Sequence, residues 1–338
     1  MGVDMILYDF DYERPDTLQE AATLLRRSGD CARLLAGGTD LIPNMRVQVL
    51  KPALLISLGA ITPELPKSGP DGSIRIDALT RLADLENSEF IRSKIPMLAE
   101  SAHAVGGNQI RQMATLGGNL CQETRCLYLN QEHDYQFTAP CYKRGGDCCY
   151  PFPGNKPGTC WSVYMSDTAP ALIALDAHVE ILSEAGVRTV SMESLFTGNS
   201  LKPLHLDRTE IIRSVVVQPI PTGFGWGYHK SSIRGGLEFA MASIAVSLRI
   251  ANDGKTCAGA RIVVGAVSEG PLRALATEQG LIGKKLDEGL LAKAADDAAG
   301  EIHPLPHHGF TSNYLRENIR VYLRRTLIAA HERACRCC

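Results

Sequence analysis

The sequence predicts a chain of mixed α/β and α+β class, with two α/β units followed by an α+β unit. Three observations carry that prediction. Short apolar runs alternate with helical periodicity over the first two-thirds. Two adjacent-glycine segments, Gly37-Gly38 and Gly117-Gly118, lie among those runs. The last third places two long apolar strands on either side of Asn252-Asp253-Gly254, then amphipathic helices.

The first unit is expected over residues 1–60. Thr17 and Glu20 have capping-box spacing, and Leu18, Ala21, Ala22, Leu24 and Leu25 follow at helical intervals. Residues 32–35 read as a short buried strand running into Ala36-Gly37-Gly38-Thr39-Asp40, and residues 54–57 as the next strand. The second unit is expected over residues 61–220. It holds a strand at 74–77, a helix over about 88–105 ended by Gly106-Gly107, and a second glycine loop from Ala114 to Asn119. About forty residues without periodicity follow, rich in Cys, Gly, Pro and aromatics. A loop of that length inside a compact domain is usually functional. The third unit covers residues 221–338. Strands are expected at 224–231, 242–251 and 260–267, and helices from about Leu272, Leu286 and Thr311.

Size and charge narrow the function. At 338 residues the chain has room for two or three cored domains. A formal net charge of -2 gives no electrostatic case for nucleic acid or an anionic membrane as partner. No apolar run reaches the ~18–20 residues of a membrane-spanning helix. The start lacks a signal-peptide pattern, and Ile6 occupies the Ser/Thr position that myristoylation of Gly2 requires. A cytoplasmic protein is expected. In a reducing compartment, clustered cysteines hold metal more often than disulfides. Of the 11 cysteines, six lie between Cys121 and Cys160, and Cys335, Cys337 and Cys338 end the chain.

Each glycine loop sets two glycines beside a hydroxyl residue, Thr39 or Thr115. Glycines let backbone approach a phosphate, and their N–H groups can form an anion nest. Neither loop is a Walker or a Gly-x-Gly-x-x-Gly motif. One such loop alone reads as a tight turn.

The surroundings add more. Residues 34–41, Leu-Leu-Ala-Gly-Gly-Thr-Asp-Leu, resemble the first flavin-binding loop in the flavin subunits of molybdenum hydroxylases, the xanthine dehydrogenase and carbon monoxide dehydrogenase family. Residues 109–120, Gln-Ile-Arg-Gln-Met-Ala-Thr-Leu-Gly-Gly-Asn-Leu, resemble the second. Ser166-Asp167-Thr-Ala-Pro170 and the segment from Tyr228 and Lys230 to Arg234 are similar to later family motifs. The resemblance spans residues 5 to about 330. It implies an FAD-binding fold of the vanillyl-alcohol oxidase/PCMH type with two α/β subdomains, and a C-terminal domain of the CO dehydrogenase flavoprotein type. By position, Leu34, Leu35, Ala36, Gly37, Gly38 and Thr39, with Ala114, Thr115, Gly117, Gly118 and Asn119, would cradle the FAD pyrophosphate. Asp167 would bind the flavin or adenosine side, and Lys230 would sit near the isoalloxazine ring. Glu238 stands where the family often has Asp and is assigned no role.

The cysteine-rich insert spans 121–165. It holds Cys121, Cys126, Cys141, Cys148, Cys149 and Cys160. Their spacing is neither a ferredoxin run nor paired Cys-x-x-Cys knuckles. Dispersed thiolates on a glycine-rich loop suit one Fe–S cluster; zinc and idle thiols are the competing readings. Cys121-Gln-Glu-Thr-Arg-Cys126, with cysteines fifteen and then eight residues on, resembles the 4-hydroxybenzoyl-CoA reductase branch, whose flavin subunit carries an extra 4Fe–4S cluster. Cys126, Cys141, Cys149 and Cys160 are the expected ligands; Cys148 and Cys149 are adjacent, so one of the two is spare and which one stays open, and Cys121 packs on the flavin loop.

The resemblance then implies an electron-transfer subunit with FAD and a 4Fe–4S cluster. A large molybdenum-cofactor subunit and a small 2Fe–2S subunit would be its partners, in a dimer of heterotrimers. The substrate would be an aromatic acyl-CoA and the electron donor ferredoxin. An oxidative hydroxylase passing electrons to NAD or a quinone is one rival. A zinc-binding assembly protein is the other. The terminal cysteines read as a mobile tail, His303, His307 and His308 as loop residues, and Cys31 and Cys257 as small core residues.

Overall fold

The computed structural model describes residues 7–131, 139–154 and 158–336. Residues 1–6, with Gly2 and Ile6, and the terminal Cys337 and Cys338 lie outside the described residues.

Strand β1 (Asp11–Glu13), helix α1 (Leu18–Ser28), β2 (Ala32–Leu35), α2 (Leu41–Arg46) and β3 (Leu54–Ser57) build a parallel three-stranded sheet in the order β1-β3-β2. Parallel strands need a crossover, and α1 and α2 provide the connections. Thr17 accepts the Glu20 N–H at 3.2 Å, and Glu20 in turn accepts the Asp16 N–H at 2.9 Å. The capping box predicted from spacing is therefore present, shifted by one residue on its return bond.

A five-stranded antiparallel sheet follows in the order β4-β5-β8-β6-β7. Its strands are β4 (Lys67–Ser68), β5 (Ile74–Asp77), β6 (His178–Ser183), β7 (Gly186–Ser191) and β8 (Ile211–Val217). Between β5 and β6 run α3 (Leu82–Asn87), α4 (Glu89–Lys94), α5 (Pro96–His103), α6 (Asn108–Met113), α7 (Leu116–Leu120) and α8 (Thr168–Ala174). The single helix expected over 88–105 is two helices. Pro96 removes a backbone donor at the start of α5, and Ile95 between them leaves helical geometry. The segment expected as a second glycine loop is instead the one-turn helix α7, with Thr115 as its cap.

The third unit is a four-stranded antiparallel sheet, β12-β11-β10-β9, backed by helices. Its strands are β9 (Phe224–Ser231), β10 (Ala242–Ile250), β11 (Cys257–Gly265) and β12 (Leu272–Arg273). Its helices are α9 (Leu275–Leu281), α10 (Glu288–Glu301) and α11 (Ser312–Arg336). Leu272, expected to open a helix, is in β12, and the helix begins at Leu275. One core packs Ile319, Leu323 and Leu327 of α11 against Ile244, Val246 and Leu248 of β10. The alternate face of β10 and β11, through Ala245 and Val263, joins the core of the second unit. The period-2 alternation of a strand thus fastens two units together.

Two cysteine expectations change. Cys31 is exposed rather than a core residue, whereas Cys257 is buried. Cys335 is in the last turn of α11, its Sγ 3.5 Å from His331 Nε2, and not in a tail. Among the described residues no helix is long and apolar enough to cross a membrane.

Candidate functional site

The two glycine segments touch. Loop one joins β2 to α2, and Gly38 has φ +70°, a backbone region that glycine enters without strain. A Cβ on Gly37 would lie 1.9 Å from the Met113 carbonyl oxygen, just before loop two. Only glycine permits that approach. No acceptor for the backbone N–H groups of Gly37, Gly38 and Thr39 is found among the described residues. Unpartnered amides beside a groove are what an anion nest needs.

Loop two is built differently. Thr115 Oγ1 accepts the Gly118 N–H at 3.1 Å, and the Gly117 N–H is spent on Ala78 O at 2.7 Å. A Cβ on Gly117 would meet Ala78 at 2.9 Å, so this glycine backs onto the strand side instead of the groove. Asn119 Oδ1 accepts from Ser166 Oγ at 2.6 Å and from Thr168 Oγ1 at 2.7 Å. That leaves the Asn119 amide N–H₂ as the end available to a ligand. It also joins the Gly-Gly-Asn and Ser-Asp-Thr segments, 47 residues apart in sequence, into one wall.

These walls enclose a groove of about 840 Å³. That is near the top of the ~300–1,000 Å³ common for small-molecule sites. Of the residues singled out in the sequence, Leu34, Ala36, Gly37, Gly38, Thr39, Ala114, Thr115, Gly118, Asn119 and Asp167 line it. Leu35, Gly117 and Lys230 do not. Lys230 stands one layer back. Its Nζ donates to Asp167 Oδ2 and Ala104 O, both at 2.7 Å, and to Glu238 O at 2.9 Å. All three donors are used, so Lys230 acts on the groove through Asp167.

Asp167 Oδ1 is buried without a partner among the described residues. Burial pushes its carboxyl up to about 6, against the pull of Lys230. Glu238, left without a role by sequence, accepts the Arg234 and Gly235 N–H groups at 2.7 and 2.8 Å and folds the 234–238 loop onto the groove. Arg125 was missed as well. It pairs with Asp40, lies 4.8 Å over the Phe239 ring, and lines the groove with both. Its signal was its place beside Cys126.

The insert forms a second cavity, small and apolar, beside the groove. All four expected ligands, Cys126, Cys141, Cys149 and Cys160, line it, together with Trp161 and Ser162; Cys148 and Cys121 do not. Cys121 instead faces the groove. Burial pushes the Cys126, Cys141 and Cys149 thiols up, and backbone N–H groups oppose that. The amides of Tyr128 and Leu129 serve Cys126, those of Lys143 and Arg144 serve Cys141, and those of Trp161 and Phe152 serve Cys149. Ser162 Oγ lies 3.2 Å from Cys160 Sγ. Such N–H groups favour thiolate over thiol. Among the described residues no three His, Cys, Asp or Glu side chains are gathered to hold a single metal ion. The space the four thiols line is about 10 Å³, so they close on one another with little room between them.

One short bridge connects the two sites. Arg125 and Val163 exchange backbone hydrogen bonds at 2.7 and 2.9 Å. Cys126 and Cys160 flank that bridge on the cavity side. Asp40, Arg125 and Met165 face the groove.

Residues 8–220 match the family described as FAD binding domain in molybdopterin dehydrogenase, and residues 226–330 match the CO dehydrogenase flavoprotein C-terminal domain. The chain is 29% identical to the carbon monoxide dehydrogenase medium chain of Hydrogenophaga pseudoflava, over 97% of this chain and 99% of that one. It is 29% identical to the aldehyde oxidoreductase FAD-binding subunit PaoB of Escherichia coli, over 89% and 93%. Among solved structures it is similar to reconstituted CO dehydrogenase from Oligotropha carboxidovorans, with TM-score 0.78 and 27% identity over 97% and 99% of the two chains. The chain belongs to the molybdopterin dehydrogenase FAD-binding family, as an oxidoreductase flavoprotein subunit of the medium-chain type.

Proposed function

We propose that this chain is the FAD- and iron–sulfur-containing electron-transfer subunit of a complex that reduces 4-hydroxybenzoyl-CoA or a related aromatic acyl-CoA. The observation carrying it is the cysteine cavity beside the groove. The four thiols expected as ligands from the sequence and its family resemblance line one space, and backbone amides serve three of the sulfurs. Bound FAD supplies two-electron exchange, and a 4Fe–4S cluster supplies one-electron exchange with an outside carrier such as ferredoxin.

The chain's own residues do the holding. The free amides of loop one and the Thr39 and Asn119 side chains would take the pyrophosphate. Asp167, held by Lys230, would face the flavin or adenosine side. The Asp40–Arg125 pair would keep the two sites in register and exclude water between them. The large molybdenum-cofactor subunit and the small 2Fe–2S subunit would be partner chains, in a dimer of heterotrimers, and the substrate would bind on the former.

Purified protein tests this directly. Flavin absorption together with iron and labile sulfide supports the reading; zinc with no iron overturns it. Cys126→Ser should abolish the low-potential cluster signal while FAD stays bound. The assembled complex should convert 4-hydroxybenzoyl-CoA to the dehydroxylated thioester when supplied with reduced ferredoxin.

A second reading has its own support. Relatives include the nicotinate dehydrogenase FAD-subunit of Eubacterium barkeri and the glyceraldehyde dehydrogenase medium chain of Sulfolobus acidocaldarius. An oxidative hydroxylase would pass electrons outward, to NAD or a quinone. Reduction of either acceptor by the complex, with no turnover of the aromatic thioester, selects it.

A further inference from the structure

We propose that the indole N–H of Trp161 donates a hydrogen bond to the cluster held by Cys126, Cys141, Cys149 and Cys160, and so raises its reduction potential. The inference rests on the cluster reading above.

Trp161 lines the same cavity as the four cysteines. Its Nε1 is buried and has no acceptor among the described residues. An indole N–H is only a donor, and a buried donor left unmade is costly. Two hydroxyls of this part of the insert make other contacts. Ser162 Oγ is shared with Thr124 Oγ1 at 2.6 Å and Cys160 Sγ at 3.2 Å. Tyr150 donates its hydroxyl to Ala139 O at 2.8 Å. No oxygen or sulfur among the described residues accepts from the indole, so its acceptor has to come with a bound group.

The ring is fixed at two points. The Trp161 backbone N–H serves Cys149, and the indole packs on Phe152 with ring centroids 5.5 Å apart. An immobilised donor beside a cluster stabilises the reduced state most, because that state is the more negative. Hydrogen bonds to the sulfurs are one of the levers that set such potentials.

Trp161→Phe isolates the N–H, because it keeps an aromatic ring against Phe152 and the backbone bond to Cys149. Iron, sulfide and FAD content should match wild type. The cluster's reduction equilibrium should shift about tenfold toward the oxidised form, which is about 59 mV lower for a one-electron couple. The potential is read by a redox titration followed by electron paramagnetic resonance.

A second measurement needs no variant that must fold. In wild-type protein carrying nitrogen-15 indole, pulsed resonance of the reduced cluster should show a nitrogen coupling. The chain has 2 tryptophans, and Trp226 is elsewhere, with the Arg333 guanidinium 3.6 Å over its ring. Trp226→Phe should therefore leave the coupling intact. A loaded wild type without the coupling, or a loaded W161F at the wild-type potential, overturns the proposal and leaves the cluster reading standing. A wild type without iron and sulfide removes both.

Discussion

Lys230 and Asp167 form a buried ion pair, Nζ to Oδ2 2.7 Å, with side chains 9% and 4% exposed. Lys230 comes from β9 of the third unit, and Asp167 stands at the start of α8 in the second. The pair therefore clamps the C-terminal sheet onto the groove. Removing one partner strands the other charge in a dry site, which costs about 3–5 kcal/mol. Lys230→Met should lose stability of that order in denaturant melts and should purify with less FAD. A variant that melts with wild type would show that the pair is not structural.

Asp167 also makes stability fall with rising pH. Its carboxyl titrates at about 6 in the fold because burial outweighs Lys230, against about 3.9 in an unfolded chain. Between those values the folded form binds more protons than the unfolded one. The contribution is thus full below the lower value and is lost as pH climbs through the upper, the reverse of an exposed paired carboxylate. Asp167→Asn cannot titrate. Its melts at about pH 4.5 and about pH 7 should differ less than those of wild type, by on the order of 2 kcal/mol. An unchanged slope would place the titration elsewhere.

What sequence made legible was local. Residues 32–35 and 54–57 are strands because short apolar runs carry their own period, and Thr17 caps α1 because its spacing to Glu20 is a backbone matter. The six clustered cysteines are legible as a group, but which of the adjacent Cys148 and Cys149 lines the cavity is set by the turn of the chain there. What stayed hidden was decided by distant partners. Lys230 is equally plausible on a surface until Asp167, Ala104 and Glu238 are brought to it. Arg125 is one charged residue in a polar insert until Asp40 and Phe239 close on it. Ile95 and Pro96 were a local signal that was available and outweighed by the apolar periodicity around them.

Gly37 and Gly118 should fail differently when given a methyl group. At Gly37 the new Cβ would be 1.9 Å from a backbone oxygen that cannot rotate away. Overpacking of this kind costs about 1–3 kcal/mol or more. At Gly118 the nearest atom is the Thr115 side-chain oxygen at 3.0 Å, which has some freedom to move. Gly37→Ala should lower both the melting temperature and the FAD content. Gly118→Ala should keep most of its stability while binding FAD less well, because the methyl is added at the groove wall. Flavin absorbance per chain and thermal melts separate the two. Equal stability losses would refute the contrast.

Cys148 and Cys149 are adjacent, and only one faces the cavity. The chain turns there. The Cys148 carbonyl accepts the Tyr142 N–H at 3.0 Å, and its thiol lies beside the Tyr150 hydroxyl. The Cys149 thiol points the other way, among the amides of Trp161 and Phe152. A serine oxygen is a harder ligand than thiolate and a poor substitute on an Fe–S cluster. Cys149→Ser should lose the cluster signal and part or all of the iron. Cys148→Ser should keep both. FAD should stay in each variant, since neither residue lines the groove. Loss of iron from the Cys148 variant alone would reverse the assignment, and full retention in both would mean that the fourth ligand lies elsewhere in the insert.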